Sequence, residues 1–441
     1  MSFPFAESIR SRSAQIGVVG LGYVGLPVAC MLARSGFHVT GVDINQEKVT
    51  KIAAGQSPIG GEEPGLADLI AEVIPSGKLS VTTEMARLSA AQVVIICVDT
   101  PIEADTKLPL YRGLRGVLKS LGPVLHAGAL VIVESTIAPG TMQAVVIPEL
   151  EQSSGKIAGE TFFVGHCPER VTPGLLLKNL ITMNRSVGGQ TPEIAEAMLA
   201  LYSTYVTGQL DATDILTAEI VKTAENAYRD VQIAFANELA MVCEQLGADV
   251  YAVRDLVNKS PGRAMLMPGG GVGGHCIPKD PWLLIANVSA GYQAKLIPAA
   301  RAINDSMPRH VCQLTADALA RHDKPLRGAR VAVLGYAFRE NTDDDRETPS
   351  QYLVEALEQG GAVVQIHDPH VRRYTQPLMD VIAGADAVVM MVAHHAYQSL
   401  DLAALRAQMA TPVLVDARHM VNPQSALQAG LTYAAVGRAN S

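Results

Sequence analysis

Few short segments restrict a fold as tightly as three closely spaced glycines set between an apolar strand and an apolar helix. Here QIGVVG (15–20) runs directly into GLGYVGLPVACMLARSG (20–36), with Gly36 closing the helical stretch. Gly20, Leu21, Gly22, Tyr23, Val24 and Gly25 form the junction. Its glycines permit a tight turn and let the backbone approach a pyrophosphate at a helix N-terminus. HVTGVD (38–43) reads as the next strand, and Asp43 ends it 18 residues after Gly25. An acid at that place accepts hydrogen bonds from an adenosine ribose and repels a 2′-phosphate, which favours NAD over NADP. A bare structural turn is the competing reading of the glycines alone; strand, helix and acid in register favour the nucleotide.

The rest of the chain extends the same rhythm. VVIICV (93–98) and ALVIVE (129–134) are short, continuous apolar runs, as fully buried parallel strands are. The pattern returns late in the chain with RVAVLG (330–335), AVVQIHD (362–368), AVVMMV (387–392) and PVLVD (412–416). Between the two halves, Thr213 to Leu246 contains neither Gly nor Pro and keeps helical periodicity, which predicts a central connecting helix. A glycine- and proline-rich loop follows, SPGRAMLMPGGGVGGHCIPKDP (260–281), and then a second helical stretch, 294–321. The expected architecture is α/β, with two doubly wound parallel-sheet domains joined by a long central helix. The expected domain spans are 1–205, 206–310 and 311–441.

Composition narrows the partners. With 35 Lys and Arg against 43 Asp and Glu, the net charge of −8 has the wrong sign for a general nucleic-acid binder. The apolar runs fall far short of the roughly 20 residues a membrane helix needs, and the first fifteen residues hold no run of signal-peptide length. Six cysteines (30, 97, 167, 243, 276, 312) show no CxxC spacing, so a reducing cytoplasm is the expected compartment.

Cys276 stands apart from the other thiols. It lies in GGGVGGHCIPKDP, a loop expected to be flexible, with His275, Lys279 and Asp280 beside it. Cationic neighbours and exposure favour a thiolate nucleophile; the alternative is a bystander. Lys222 and Asn226 are four residues apart and share one helix face, with Arg229 just off the following turn. They read equally as a functional pair or as a solvated polar stripe. His166-Cys167 and His275-Cys276 lack zinc-ligand spacing, so no metal is expected. The remaining histidines, His394-His395 among them, have no spacing that singles them out.

Several long segments in fixed order resemble the UDP-glucose/GDP-mannose (nucleotide-sugar 6-) dehydrogenases over nearly the whole chain. They are GLGYVGLPVA, the EST-x-x-PGT element (134–141), PER-x-x-PG (168–174), the AE-x-x-K-x-x-EN helix, GGHCIPKD and VLGYAFRENTDDDRETPS. The resemblance implies two Rossmann-like domains, a long helix that also forms a homodimer interface, and an NAD-dependent oxidation of the sugar C6 hydroxymethyl to a carboxylate. It assigns catalysis to Cys276, Lys222, Asn226 and Asp280, with Thr136 and Glu169 helping to place water. It assigns NAD to Gly20, Gly22, Tyr23, Val24, Gly25, Asp43, Lys48, Thr100, Thr136 and Arg346. The UDP-sugar falls to Glu169, Arg170, Val171, Lys222, Asn226, Arg229, Gly273, Phe338 and Arg339, together with Arg263, which the family places at a neighbouring subunit's site.

Glucose- and mannose-oxidising relatives typically read PEF-x-x-EG, whereas this chain has Arg170 for the aromatic and Pro173 for the second acid. That form resembles the N-acetylhexosamine branch and points to UDP-N-acetylmannosamine. UDP-glucose or GDP-mannose oxidation, and a non-catalytic NAD-binding redox sensor, are the alternatives.

Overall fold

A computed structural model describes residues 4–60 and 63–438. Residues 1–3 and 61–62 of the expected span 1–205, and 439–441 of the expected span 311–441, lie outside the described residues. The chain divides into two compact units, one comprising residues up to Glu225 together with Trp282–Tyr292, the other Asn226–Pro281 together with Gln293 onward.

The first unit is built on an eight-stranded sheet. Its strands are β1 (Gln15–Val19), β2 (His38–Val42), β3 (Leu79–Thr82), β4 (Val93–Ile96), β5 (Leu130–Val133), β6 (Phe163–His166), β7 (Arg185–Gly189) and β8 (Leu210–Asp214). They lie in the order β3-β2-β1-β4-β5-β6-β7-β8. The first six are parallel, β7 runs antiparallel to β6, and β8 is parallel to β7. The parallel part is the 3-2-1-4-5-6 winding in which nucleotides bind at the carboxyl ends of the central strands. β4 and β5 are buried at every position, as their continuous apolar runs require. The Gly25–Arg34 helix is buried from Gly25 through Ala33 and is therefore apolar nearly all round. Each fully buried Leu or Met there contributes about 1.5–3 kcal/mol.

The second unit carries β9 (Arg330–Leu334), β10 (Val363–His367), β11 (Ala387–Met390), β12 (Val413–Asp416) and β13 (Thr432–Ala435). All are parallel, in the order β10-β9-β11-β12-β13. The Leu296–Ala320 helix packs on this sheet and tolerates Pro308 in its interior.

The central helix runs from Ile215 to Leu246. Thr213 and Asp214, expected in that helix, instead end β8. The carboxylate of Asp214 accepts hydrogen bonds from the Thr217 amide (2.9 Å) and hydroxyl (2.6 Å), so it caps the helix from outside. No helix among the described residues is long and apolar enough to cross a membrane.

Candidate active site

In the first unit the glycine turn is set by close backbone approach. Gly20 has φ of +91°, and a Cβ there would lie 2.4 Å from the Cys97 carbonyl oxygen. A Cβ on Gly25 would meet the Gly20 carbonyl oxygen at 1.9 Å, whereas the space beside Gly22 is open. The turn is closed on its protein side and clear at Gly22, which is the form a backbone cradle for a pyrophosphate needs. Asp43 holds this turn: its carboxylate accepts from the Leu21 and Asn45 amides, both at 2.9 Å, and Lys48 Nζ lies 3.8 Å away. An ionised carboxylate offers about four acceptor sites, so capacity remains for a ribose diol. Tyr23, Val24 and Gly25 follow at the helix entrance. Thr100, buried in the loop four residues past β4, donates its hydroxyl to the Thr136 carbonyl. The residues present therefore fit NAD.

Sequence reasoning missed two carboxylates in this unit, because their partners are far away in the chain. Glu63 accepts from the Tyr23 hydroxyl and from the Gly174 (2.9 Å) and Leu176 (3.2 Å) amides, tying the glycine turn to the end of PER-x-x-PG. Glu219 accepts from the Gly140 (2.7 Å) and Met142 (2.8 Å) amides, and burial pushes its carboxyl up to about 7. Within PER-x-x-PG, Glu169 accepts from the Val171 amide, and Val171 packs against the core. Arg170 makes a bidentate pair with Glu225 and donates to the Asn184 carbonyl. Three of the five guanidinium N–H groups are thus engaged and two remain. Lys222 is only 7% exposed, so it is not part of a solvated stripe. Nearby, burial holds His166 down at about 4, and the Lys222 charge acts in the same direction.

In the second unit Cys276 is exposed. Its carbonyl accepts from the Lys279 (3.1 Å) and Asp280 (2.8 Å) amides, making a tight turn. Asp280 is wholly buried: Asn226 Nδ2 donates to its Oδ2 at 2.6 Å, and Lys279 Nζ lies 3.1 Å from its Oδ1. Asn226 is one helical turn beyond Lys222 on the central helix, while Arg229 is exposed. The preceding glycines are not flexible, as expected, but jammed. A Cβ on Gly273 would lie 2.6 Å from the Glu347 carbonyl oxygen, and one on Gly274 would lie 2.8 Å from the Phe338 ring. Gly274 also donates its amide to the Arg346 carbonyl (3.0 Å).

A buried network holds the start of this loop. Asn237 Oδ1 accepts from the Gly269 amide (2.9 Å), and its Nδ2 donates to Asn304. Asn304 in turn donates to Asp230, which pairs with Arg301 at 2.6 Å. The Arg346 guanidinium makes a bidentate pair with Asp344. Arg339 follows Phe338 on the same turn, and Arg263 donates to the Pro261 carbonyl (2.9 Å). Among the described residues no cluster of three or more His, Cys, Asp or Glu could hold a metal ion.

Comparison with known proteins gives the family. Residues 14–206 match the NAD binding domain of the UDP-glucose/GDP-mannose dehydrogenase family, 216–306 its central domain and 332–423 its UDP binding domain. The chain is 38% identical over 424 residues to the UDP-N-acetyl-D-mannosamine dehydrogenase of Pyrococcus horikoshii, covering 96% of this chain and 99% of that protein. It is 37% identical to the NDP-N-acetyl-D-galactosaminuronic acid dehydrogenase of Ralstonia nicotianae, covering 92% of this chain and 96% of that protein. The solved structure of a UDP-D-ManNAc dehydrogenase from Pyrococcus horikoshii superposes with a TM-score of 0.91 at 38% identity, covering 97% of this chain and all of that one. The glycine cradle with its acid, the buried Lys222 and the Cys276–Asp280 turn thus belong to an NAD-dependent nucleotide-sugar dehydrogenase, a member of the UDP-glucose/GDP-mannose dehydrogenase family.

Proposed function

We propose that the chain oxidises the C6 hydroxymethyl of a UDP-N-acetylhexosamine, UDP-N-acetylmannosamine first among them, to the carboxylate in two steps. The observation that carries the reading is the turn at 276–280. It places an exposed thiol four residues from a buried carboxylate that fixes Asn226. An alcohol dehydrogenase that stops at the aldehyde needs no such thiol.

NAD supplies the two-electron acceptor for each oxidation. Once the aldehyde is present, Cys276 Sγ bonds to its carbon and the carbonyl oxygen takes a proton, giving a thiohemiacetal. The second oxidation leaves a thioester on Cys276. Water then adds to the thioester carbon and the thiolate departs, releasing the acid. Lys222, little exposed, holds or moves the proton and stabilises the oxyanion. Asn226 keeps one N–H to donate to the same oxygen, because only one of its two donors is committed to Asp280. Asp280, Thr136 and Glu169 place the water. The Gly20–Gly25 turn, Asp43, Lys48, Thr100 and Arg346 hold NAD. Val171, Gly273, Phe338 and Arg339 line the nucleotide sugar, and the two uncommitted donors of Arg170 serve its acetamido carbonyl or diphosphate.

The parts divide as 1–205 for NAD, 206–310 for the central helix and thiol loop, and 311–441 for the nucleotide sugar. The central helix exposes Leu216, Ile220, Tyr228, Phe235, Val242 and Leu246. At 100° per residue these six fall within an arc of about 120°, an apolar stripe that supports a homodimer with Arg263 serving the neighbouring subunit. A cytoplasmic location accords with six cysteines that show no CxxC spacing.

The test is NADH formation across a panel of UDP- and GDP-sugars, with wild type and Arg170→Ala. UDP-N-acetylmannosamine should be oxidised well and UDP-glucose poorly, and the variant should lose about tenfold or more on the acetylated sugar. Equal kcat/KM on UDP-glucose, or no effect of the variant, overturns the substrate assignment.

A further inference from the structure

The turn that carries Phe338 and Arg339 is held from below by a buried pair that no sequence spacing reveals. Asp368, immediately after β10, is fully buried and uses both oxygens on backbone amides. Its Oδ2 accepts from Tyr336 (2.6 Å) and Ala337 (2.9 Å), and its Oδ1 from His370 (2.8 Å) and Val371 (3.0 Å). Burial disfavours its charge, yet the His394 ring and the Ala337, Tyr336 and His370 amides hold the carboxyl well below the usual range.

His394, also fully buried, lies with Nε2 3.0 Å from Asp368 Oδ2. Its Nδ1 lies 2.9 Å from the Asn341 amide nitrogen. A backbone amide has only a proton to give, so Nδ1 accepts and Nε2 carries the proton that goes to Asp368. The next residue repeats the link from the other side: the His395 amide donates to Asn341 Oδ1 at 2.9 Å. Asn341 itself has φ of +58°, a left-handed conformation that this double clasp over-determines. The 336–341 turn is thus pinned at its start by Asp368 and at its end by His394. Between the two pins lies Phe338, whose ring seals the Gly273–Gly274 backbone that precedes Cys276.

We propose that His394 is the positioning residue of the nucleotide-sugar site in this unit, holding the Tyr336–Asn341 turn and through it Phe338. This rests on the reading that Phe338 and Arg339 serve the nucleotide sugar. The histidine acts through the Asn341 amide, not by touching substrate. Its two ring nitrogens do separate jobs, and side-chain amides separate them experimentally. In Asn the acceptor oxygen stands where Nδ1 stands, whereas in Gln the donor nitrogen stands where Nε2 stands. His394→Asn keeps the bond to the turn and loses the one to Asp368. His394→Gln keeps Asp368 and loses the turn.

Each variant gives up one buried hydrogen bond, so melting temperatures should fall together and serve as the control for a merely structural role. Kinetics should split them. His394→Gln should raise the nucleotide-sugar KM about fivefold or more, while His394→Asn should stay within about twofold. The KM for NAD and the saturated kcat should change by less than about twofold in both. Amide hydrogen exchange, which needs no substrate, should accelerate over 336–341 in the Gln variant alone. Asn341→Ala leaves the buried pair intact and should raise the same KM about threefold if the clasp positions the turn. Equal KM values in the His394 variants, unaltered exchange in His394→Gln, or an unchanged KM in Asn341→Ala overturns the proposal. A wild-type enzyme that oxidises no nucleotide sugar while the exchange split persists overturns the substrate reading instead and leaves the clasp without that role.

Discussion

Gly274→Ala isolates the contact on which the thiol loop depends. Gly274 has φ of +88°, and a left-handed backbone costs a residue with a Cβ about 1–2 kcal/mol. The new methyl would stand 2.8, 3.0 and 3.1 Å from three carbons of the Phe338 ring. Carbon–carbon contacts are comfortable near 3.5–4.0 Å, so the ring must move by roughly half an ångström to one ångström. It has little freedom to do so, because the same turn lies against Gly273 and is pinned by Asp368 and His394. Overpacking of this kind costs about 1–3 kcal/mol, which brings the total to about 2–5 kcal/mol. Gly430→Ala supplies the reference: φ is +77° with no heavy atom within 4 Å, so only the strain of about 1–2 kcal/mol applies. For a unit of this size each kcal/mol moves the melting transition by about 2–4 °C, so Gly274→Ala should melt about 4–20 °C lower and Gly430→Ala about 2–8 °C lower. Steady-state kinetics should show the nucleotide-sugar KM raised about tenfold by Gly274→Ala and unchanged by Gly430→Ala. Equal melting shifts with equal KM values would refute the argument that these glycines are required by packing.

Three further outcomes follow from the site. Cys276→Ser should bind NAD and the nucleotide sugar normally yet fail to form carboxylate in steady state, since a hydroxyl is a poor nucleophile and a poorer leaving group; near-normal turnover would return Cys276 to a bystander. Asp43→Ala should raise the NAD KM about tenfold and narrow the discrimination against NADP, because the carboxylate both braces the turn and repels a 2′-phosphate; unchanged discrimination in coupled assays would contradict the ribose assignment. His166 is held at about 4 against an ordinary 6.5, so the unfolded chain takes up a proton in that interval that the folded chain refuses. Its stabilising contribution, about 3 kcal/mol, is therefore present above pH 6.5 and lost as the pH falls toward 4. Glu219, raised to about 7, contributes a slope of the opposite sign over the same interval, so the test is the difference: measured by denaturant unfolding between pH 4 and 7, the stability of wild type relative to His166→Phe should rise with pH, and a pH-independent difference would refute the assignment.

The features legible in the sequence are those whose cause is local. β1, the glycine turn and the Gly25–Arg34 helix are specified by adjacent residues, and β4, β5, β9, β11 and β12 by uninterrupted apolar runs. β7 and β8 are not legible that way. RSVGG is glycine or polar at four of five positions, LDATD is largely exposed, and both are strands only because neighbouring strands supply their hydrogen bonds. The same distinction runs through the site. Cys276, Lys222, Asn226 and Asp280 stand in recognisable segments, but the groups that brace the surrounding turns do not. Glu63 reaches Gly174 across 111 residues, and His394 reaches Asn341 across 53. Nothing in HHAYQSL distinguishes a histidine buried between two hydrogen bonds from one in solvent. The glycines of GGGVGGHC read as slack for a similar reason, since the Phe338 ring that makes them necessary comes 64 residues after Gly274.

The central claim is that Cys276 captures the aldehyde so that one site carries out both oxidations. Its most direct measurement is the yield of NADH per UDP-N-acetylmannosamine consumed, followed at 340 nm under excess NAD with the product analysed by mass spectrometry. The account predicts two NADH per sugar, a uronate as the only product, and no free aldehyde at any time point. A yield that stops at one NADH with the C6 aldehyde accumulating would contradict it.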